Sequence, residues 1–413
     1  MRVAIIGGGV IGLTTAYALI NKGHSVDLFE QHDAVGMATS FANGGQLSYR
    51  YVSPLADAGV PWQALGWMFK KDSPLRFRPR MSISQWRWCL DFLLACRTSV
   101  NQANTAHLLR LALHSQAVLH DWQAQFGLTD FAWRANGKLV IYRDSHHFSH
   151  AAGKVVESSM QQVLTPQECV ETEPSLVDLA PQLQGGIFSP GDEVGDCHRF
   201  CRQLLQQLSA HPNFRLHTGQ TVQKLVVENG QIRGLRLNND EVAVDHLVMA
   251  AGMGSVGLLK SVGVKVPLYP LKGYSLTLPV QDHATIPQTN VTDYDRKIVY
   301  ARLDDQLRVA AMVDIGNAST ELDADRIASL RRQAQLSFPR AGDYQQAQAW
   351  AGLRPTTPQG TPLLGRSGIK NLWLNLGHGS LGFTLACGSA SSLAHLISQE
   401  PAEITLTGLQ LPH

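Results

Sequence analysis

Two hydrophobic periods alternate along this chain. Positions 3–6 (VAII) are an unbroken apolar run, the pattern of a short strand buried on both faces. Apolar residues then recur at helical spacing over 11–21, and Gly23 closes that segment. The buried-strand pattern returns at 26–29 and stops at Glu30. Helical spacing reappears in Ile83, Trp86, Leu90, Leu93, Leu94 and Arg97, again over 104–126 with Gly127 as the stop, and over 197–208. Thr165-Pro166 reads as a helix start, with a hydroxyl cap and proline in the first position. Strands are predicted at 137–142, 185–188, 214–217, from 221, and at 246–252, 267–279, 297–302, 306–312 and 372–375. Alternation over 226–237 and 241–244, around the turns Asn229-Gly230 and Asn239-Asp240, predicts a small meander.

The glycines between the first strand and the first helix change the picture. Gly7, Gly9 and Gly12 have G-x-G-x-x-G spacing inside a strand–turn–helix–strand–acid unit only 30 residues long. Gly7 permits the tight turn, Gly9 lets a pyrophosphate approach the backbone, and Gly12 lets the helix pack on the strand. The helix start, with Val10 and Ile11, offers free N–H groups to phosphate. Glu30, followed by Gln31, suits ribose hydroxyls and argues against a 2′-phosphate. A second loop, 36–46, is rich in glycine and hydroxyls where an NAD enzyme would have another strand–helix unit. It suits an extended FAD, with Thr39, Ser40, Asn43, Gly44, Gly45, Gln46, Leu47 and Ser48 as the residues expected to touch it. Strand pieces of this nucleotide-binding character lie at the start, middle and end of the chain. That dispersal predicts two intertwined domains: a Rossmann-like α/β FAD domain from 1–50, 192–265 and 350–413, and an α+β substrate domain with an antiparallel sheet from 51–191 and 266–349.

Composition narrows the function further. The 413 residues carry 35 Lys+Arg against 33 Asp+Glu, a net charge of +2 that excludes nucleic-acid binding by bulk electrostatics. Six cysteines form no disulfide framework, and their one close pair, Cys197 and Cys201, has no second pair to complete a metal site, so all six read as reduced thiols of a cytoplasmic protein. No run approaches the roughly 18 apolar residues of a membrane span. The stretch 62–97 interleaves tryptophan with arginine, which suits either a packed helical subdomain or peripheral contact with an anionic membrane. His146, His147 and His150 look like a metal cluster but read as a solvated helix start without acidic partners, so no metal is expected.

The segments VAIIGGGVIGL, TSFANGGQLS, PLKGYSLTLP, GLRPTTPQGTPLLGR and NLWLNLGHGSLGFTLACGSA run from the first tenth of the chain to the last. With them the sequence resembles the FAD-dependent D-amino-acid oxidase/glycine oxidase family, in its dehydrogenase branch. The resemblance implies oxidative deamination of D-amino acids to 2-oxo acids and ammonia by hydride transfer to flavin. It implies electrons leaving to quinone or another respiratory acceptor at the inner face of the cell membrane. Related activities on glycine, sarcosine, D-proline or D-hydroxyproline remain the alternative. In GLRP, Arg354 carries the substrate-carboxylate role. Tyr274 of KGYS, Tyr51, Tyr300 and Arg302 are further substrate candidates. Tyr51 lies in Tyr49-Arg50-Tyr51, where the typical dehydrogenase subunit has small residues. Val222 is expected at the adenine edge, and Ala250, Ala251 and Gly252 near the pyrophosphate. Gly377, His378, Gly379, Ser380, Leu381, Gly382, Phe383 and Thr384 are expected at the flavin's pyrimidine edge, where His378 would add positive charge. No cysteine lies between Cys201 and Cys387, so the FAD is expected to be non-covalent. No side chain is assigned as a general base, because hydride transfer needs placement and an electron sink.

Overall fold

The computed structural model describes all residues except 62–65, 67–71, 156–159, 239, 281, 283–284 and 413. A six-stranded sheet runs in the order Leu363–Arg366, Leu372–Leu376, His246–Met249, Arg2–Ile6, Ser25–Phe29, Phe214–His217. Every neighbouring pair is parallel except the outermost, Leu363–Arg366 on Leu372–Leu376. The unbroken apolar run at 3–6 has its reason here. Val3 and Ile5 enter the core under the helices, while Ala4 and Ile6 enter a second core under the meander. Helix Val10–Asn21 packs on Cys197–Ser209 and on Gly382–Ile397. Burying Leu13 and Leu19 completely at that seam contributes roughly 1.5–3 kcal/mol for each side chain. Gly382–Ile397 belongs to the one apolar stretch among the described residues long enough to span a membrane, but it is a core helix, packed between Val10–Asn21 and Thr98–Phe126.

The second sheet has nine strands. Eight follow the order Gln348–Thr356, Tyr269–Pro279, Gln306–Ile315, Ile298–Leu303, Asn290–Asp293, Lys138–Tyr142, Gly185–Ser189, Gln162–Leu164, and Leu75–Phe77 joins Gln306–Ile315. One face packs on helix Ala324–Ser337 through Leu276, Val309, Ile327 and Leu330. The other faces the nucleotide domain.

The segment boundaries differ from the predicted ones in two places. Position 350 falls inside strand Gln348–Thr356, which pairs along its whole length with Tyr269–Pro279, so Arg354 belongs to the second sheet. Thr98–Phe126 was assigned to the substrate domain, but it buries Leu108, Leu111 and Leu119 in the nucleotide-domain core. Periodicity locates an apolar face and does not name what that face packs against. The strand expected from Thr221 begins only at Lys224, leaving Val222 in an irregular segment.

Candidate active site

A cavity of about 1800 Å³ lies between the two sheets. Its first end is the glycine turn. Gly7 has φ +109°, and a Cβ there would stand 2.6 Å from the Ala250 carbonyl oxygen. A Cβ on Gly12 would overlap the Gly7 carbonyl, so the helix can approach its strand only with glycine there. At Gly9 the nearest obstacle to a Cβ is Ser40 Oγ at 3.4 Å, which leaves the turn open toward the cavity. Gly9 caps the helix without a side chain, and no acid stands in the first turn, so its N–H groups suit an anion. Val10 N–H donates to Ser40 Oγ at 3.0 Å. Glu30 is buried. Its carboxylate accepts the Gly8 N–H at 2.6 Å and the His32 N–H at 2.9 Å, which fixes it at the cavity edge. Ile11, Gln31, Val222, Ala250, Ala251 and Gly252 line the same end.

The glycine loop after Glu30 forms the middle wall. Thr39 Oγ1–H donates to the Leu353 carbonyl at 2.6 Å, tying this loop to the strand that bears Arg354. Gly45 has φ +69° and accommodates the turn as only glycine readily does. Asn43, Gly44 and Ser48 also line the wall. Gln46 lines it too, with its amide donated to the Val291 and Tyr300 carbonyls. Opposite runs His378 to Thr384, and Thr384 Oγ1 accepts the Ser48 N–H at 3.2 Å. A pyrophosphate turn, a buried acid for ribose and two glycine-rich walls fit an extended FAD.

Arg354 stands at the far end. Its guanidinium lies across Gly273, where a Cβ would land on the guanidinium atoms, and Nη1 donates to the Met312 carbonyl at 3.0 Å. No carboxylate pairs with it among the described residues, and burial alone pushes its pKa down to about 10. It remains charged at neutral pH, a half-satisfied fork facing a cavity.

Several expected site residues fall elsewhere. Tyr300 is fully buried beneath the sheet, edge-on to Phe338 with ring centroids 4.7 Å apart, and does not reach the cavity. Arg302 is bound to Gln288 and the Asp304 carbonyl, also away from it. Both lie on a strand whose facing the sequence leaves ambiguous. Tyr274 borders the cavity, but its hydroxyl donates to Asp314 at 2.9 Å in the opposite core. Leu47 is a core residue. Gly377 stands off the cavity with φ +81°, and a Cβ there would meet Thr357 Cγ2 at 2.8 Å. His378 does line the cavity, but burial lowers its pKa to about 3 and Nε2 meets Ser389 Oγ at 3.0 Å. It is neutral, so the positive charge expected there is absent. Tyr51 lines the cavity under the Lys138 ammonium, 4.4 Å from its ring centroid. The histidines at 146–150 do have acidic neighbours, contrary to expectation. Asp144 caps their helix, and His147 Nδ1 is 2.5 Å from Asp295. Asp144, His146 and His147 could together meet a cation, but cap and ion pair already account for Asp144 and His147.

Sequence reading missed Gly273, Met312, Lys138 and Lys297. Gly273 was visible in KGYS, but the adjacent tyrosine drew the functional assignment. Lys138 was visible as a lysine opening an otherwise apolar strand, KLVIY.

A nucleotide-binding half facing an antiparallel sheet across such a cavity, with an arginine at its far end that meets no carboxylate among the described residues, defines a flavoprotein acting on a small carboxylate. The family model described as FAD dependent oxidoreductase matches residues 2–396, and the chain belongs to that family. It is 53% identical to D-amino acid dehydrogenase 2 of Pseudomonas aeruginosa, covering 99% of this chain and 97% of that one. It is 41% identical to D-amino acid dehydrogenase 2 of Ralstonia nicotianae, over 98% of each. Among solved structures it resembles glycine oxidase from Bacillus cereus at 20% identity, TM-score 0.75, covering 100% of this chain and 99% of that one. It also resembles L-proline dehydrogenase from P. horikoshii at 15% identity, TM-score 0.77, covering 99% and 96%. At those identities the structural likeness concerns the fold.

Proposed function

We propose that the protein is an FAD-dependent D-amino-acid dehydrogenase that oxidises the substrate Cα–N bond, the imine then being hydrolysed to a 2-oxo acid and ammonia. The observation that carries this reading is Arg354: a partly buried, charged fork without a carboxylate partner among the described residues, at the end of the cavity opposite the nucleotide turn. FAD, bound from the Gly7 turn to the His378–Thr384 wall, supplies the acceptor for the hydride and its electron pair. The chain supplies placement. Arg354 clamps the carboxylate, Gly273 and the Met312 carbonyl hold the guanidinium, and the enclosing walls exclude bulk water. Neutral His378 contributes a hydrogen bond through Ser389 and no charge.

The test is anaerobic mixing of the yellow protein with paired D- and L-amino acids. Bleaching of the oxidised flavin band by D-forms alone supports the reading. A band that survives every D-amino acid refutes it. Acid precipitation should release the colour, because the FAD is held without a covalent bond.

The proposed acceptor is a membrane quinone. Helix Ile83–Ala95 presents Ile83, Trp86, Leu90, Leu93 and Leu94 to solvent, flanked by Arg87 and Arg97. An apolar face with a tryptophan and flanking cations suits the inner, anionic membrane surface; the part of this region at 62–65 and 67–71 lies outside the described residues. Co-sedimentation with anionic liposomes at low salt, lost in a Leu90→Glu/Leu93→Glu variant, tests it. Absence of binding by the wild type counts against it.

A further inference from the structure

The half of the cavity around Arg354 contains a second cationic feature that carboxylate binding does not use. The hairpin turn between strands Asn290–Asp293 and Ile298–Leu303 brings Tyr294 and Lys297 to the cavity wall. The Lys297 ammonium stands 3.3 Å from the Tyr294 ring centroid. Tyr294 in turn stacks at a tilt on Tyr142, centroids 4.9 Å apart. Lys138, buried and bound to Ser48 Oγ at 2.7 Å, covers Tyr51 on the same wall. The result is a chamber of tyrosine faces carrying two ammonium groups.

Register places this chamber beside the arginine. Ile298 pairs with Ala311, so Lys297 precedes it opposite Met312, and the Met312 carbonyl holds Arg354 Nη1. Both Lys297 and Met312 have positive φ, +56° and +67°, where the ladder ends in an irregular turn.

No acid among the described residues pairs directly with these ammoniums, although Asp192 acts on Lys138, and Asp295, Asp57 and Asp293 act on Lys297, from farther off. Among the described residues no carboxylate lies within 4 Å of Lys138 or Lys297. Asp295 is taken by His147 Nδ1 and by the Arg143 and Asp144 N–H groups, and Asp57 accepts the Gly59 N–H. Burial lowers both lysines to about 8, with the neighbouring aspartates opposing that shift, so both remain mostly protonated at neutral pH. Lys297, with no carboxylate within 4 Å among the described residues, and Lys138, held by Ser48 with Asp192 farther off, stand next to a third cation that binds the α-carboxylate, and together they suit a ligand with two negative charges.

We infer that the chamber formed by Lys297, Lys138 and Tyr294 receives the side-chain carboxylate of an acidic D-amino acid, making D-glutamate or D-aspartate a preferred substrate class. This rests on the D-amino-acid reading above. Aliphatic D-amino acids fill the Arg354 end and leave the lysines unmatched. Acidic ones match both ends.

Three probes test this on the FAD-loaded protein: D-glutamate, D-glutamine and D-alanine, each by anaerobic flavin bleaching. Calorimetry compares glutarate with butyrate, neither of which can be oxidised as an amine. The wild type is expected to show kcat/KM for D-glutamate at least about ten-fold above D-alanine, and glutarate binding about ten-fold tighter than butyrate, the worth of one charge-assisted contact. Lys297→Met should lower D-glutamate kcat/KM by about ten-fold more than it lowers D-alanine, with Lys297→Arg restoring most of the difference. Bleaching by D-alanine with no preference for D-glutamate, or equal losses on both substrates in Lys297→Met, overturns the inference and leaves the D-amino-acid reading standing. Failure of every D-amino acid to bleach the flavin overturns both.

Discussion

Replacing Arg354 with methionine separates binding from folding more cleanly than any other change in the site. The side chain is partly buried and charged, it has one hydrogen bond to the Met312 carbonyl, and no carboxylate accompanies it among the described residues. With a pKa of about 10 it is protonated throughout the neutral range. A substrate carboxylate then gains two charge-assisted hydrogen bonds, each worth about 1.5–3 kcal/mol. Their loss in Arg354→Met should lower kcat/KM for any reactive D-amino acid by roughly 10² to 10⁴. Arg354→Lys, with a point charge in place of a fork, should fall between. Stability should move the other way. A partly desolvated cation awaiting its ligand is a cost to the free protein, so Arg354→Met should melt at or above the wild-type temperature. Stopped-flow bleaching gives the rates, and thermal unfolding of the FAD-bound protein gives the stability. D-Alaninamide, which lacks the carboxylate, should react at similar rates with both proteins. A kcat/KM for D-alanine within about ten-fold of wild type, or an equal loss on D-alaninamide, would refute the carboxylate role.

Other outcomes follow from named contacts. Gly273→Ala places a methyl on the Arg354 guanidinium, so kcat/KM should fall about ten- to hundred-fold, chiefly through KM, in steady-state kinetics; an unchanged KM would contradict this. Asp314→Ala strands Arg326 Nε and Nη2, held at 2.9 and 2.6 Å, and frees the Tyr274 hydroxyl, which should cost about 3–5 kcal/mol by urea denaturation. The pKa of Lys138 is about 8 when folded against 10.5 as a free side chain, so the unfolded chain binds more protons between those values. Its penalty is full below pH 8 and relieved as pH rises toward 10.5, so wild type should gain in melting temperature relative to Lys138→Met from pH 8 to 10. A flat or falling difference would show that Lys138 is not desolvated.

The nucleotide end of this protein was legible in the sequence because local rules alone fix it. Gly7, Gly9 and Gly12 are demanded by one turn and one helix–strand contact, and Glu30 is set by the end of the neighbouring strand, all within 30 residues. Buried parallel strands announce themselves as unbroken apolar runs because both faces are covered. Arg354 was legible through its flanking motif, although its sheet was not: strand Gln348–Thr356 joins the second sheet through pairing with residues some eighty positions earlier. The substrate end was decided by tertiary structure. Tyr274 and Tyr300 looked like site residues because an alternating strand shows that it has two faces without showing which face meets a ligand. The bulge between Lys272 and Tyr274, opposite Met312, turns the Tyr274 hydroxyl into the core and leaves Gly273 to underlie the guanidinium. His378 lost its expected charge for a similar reason. Its protonation depends on burial by the terminal helix and the adjoining walls, and sequence spacing carries no measure of desolvation. Lys138 and Lys297, 159 positions apart in the chain, meet one cavity only because Asn290–Asp293 pairs in parallel with Lys138–Tyr142. Long-range strand pairing sets that neighbourhood, and it leaves no local periodicity to read.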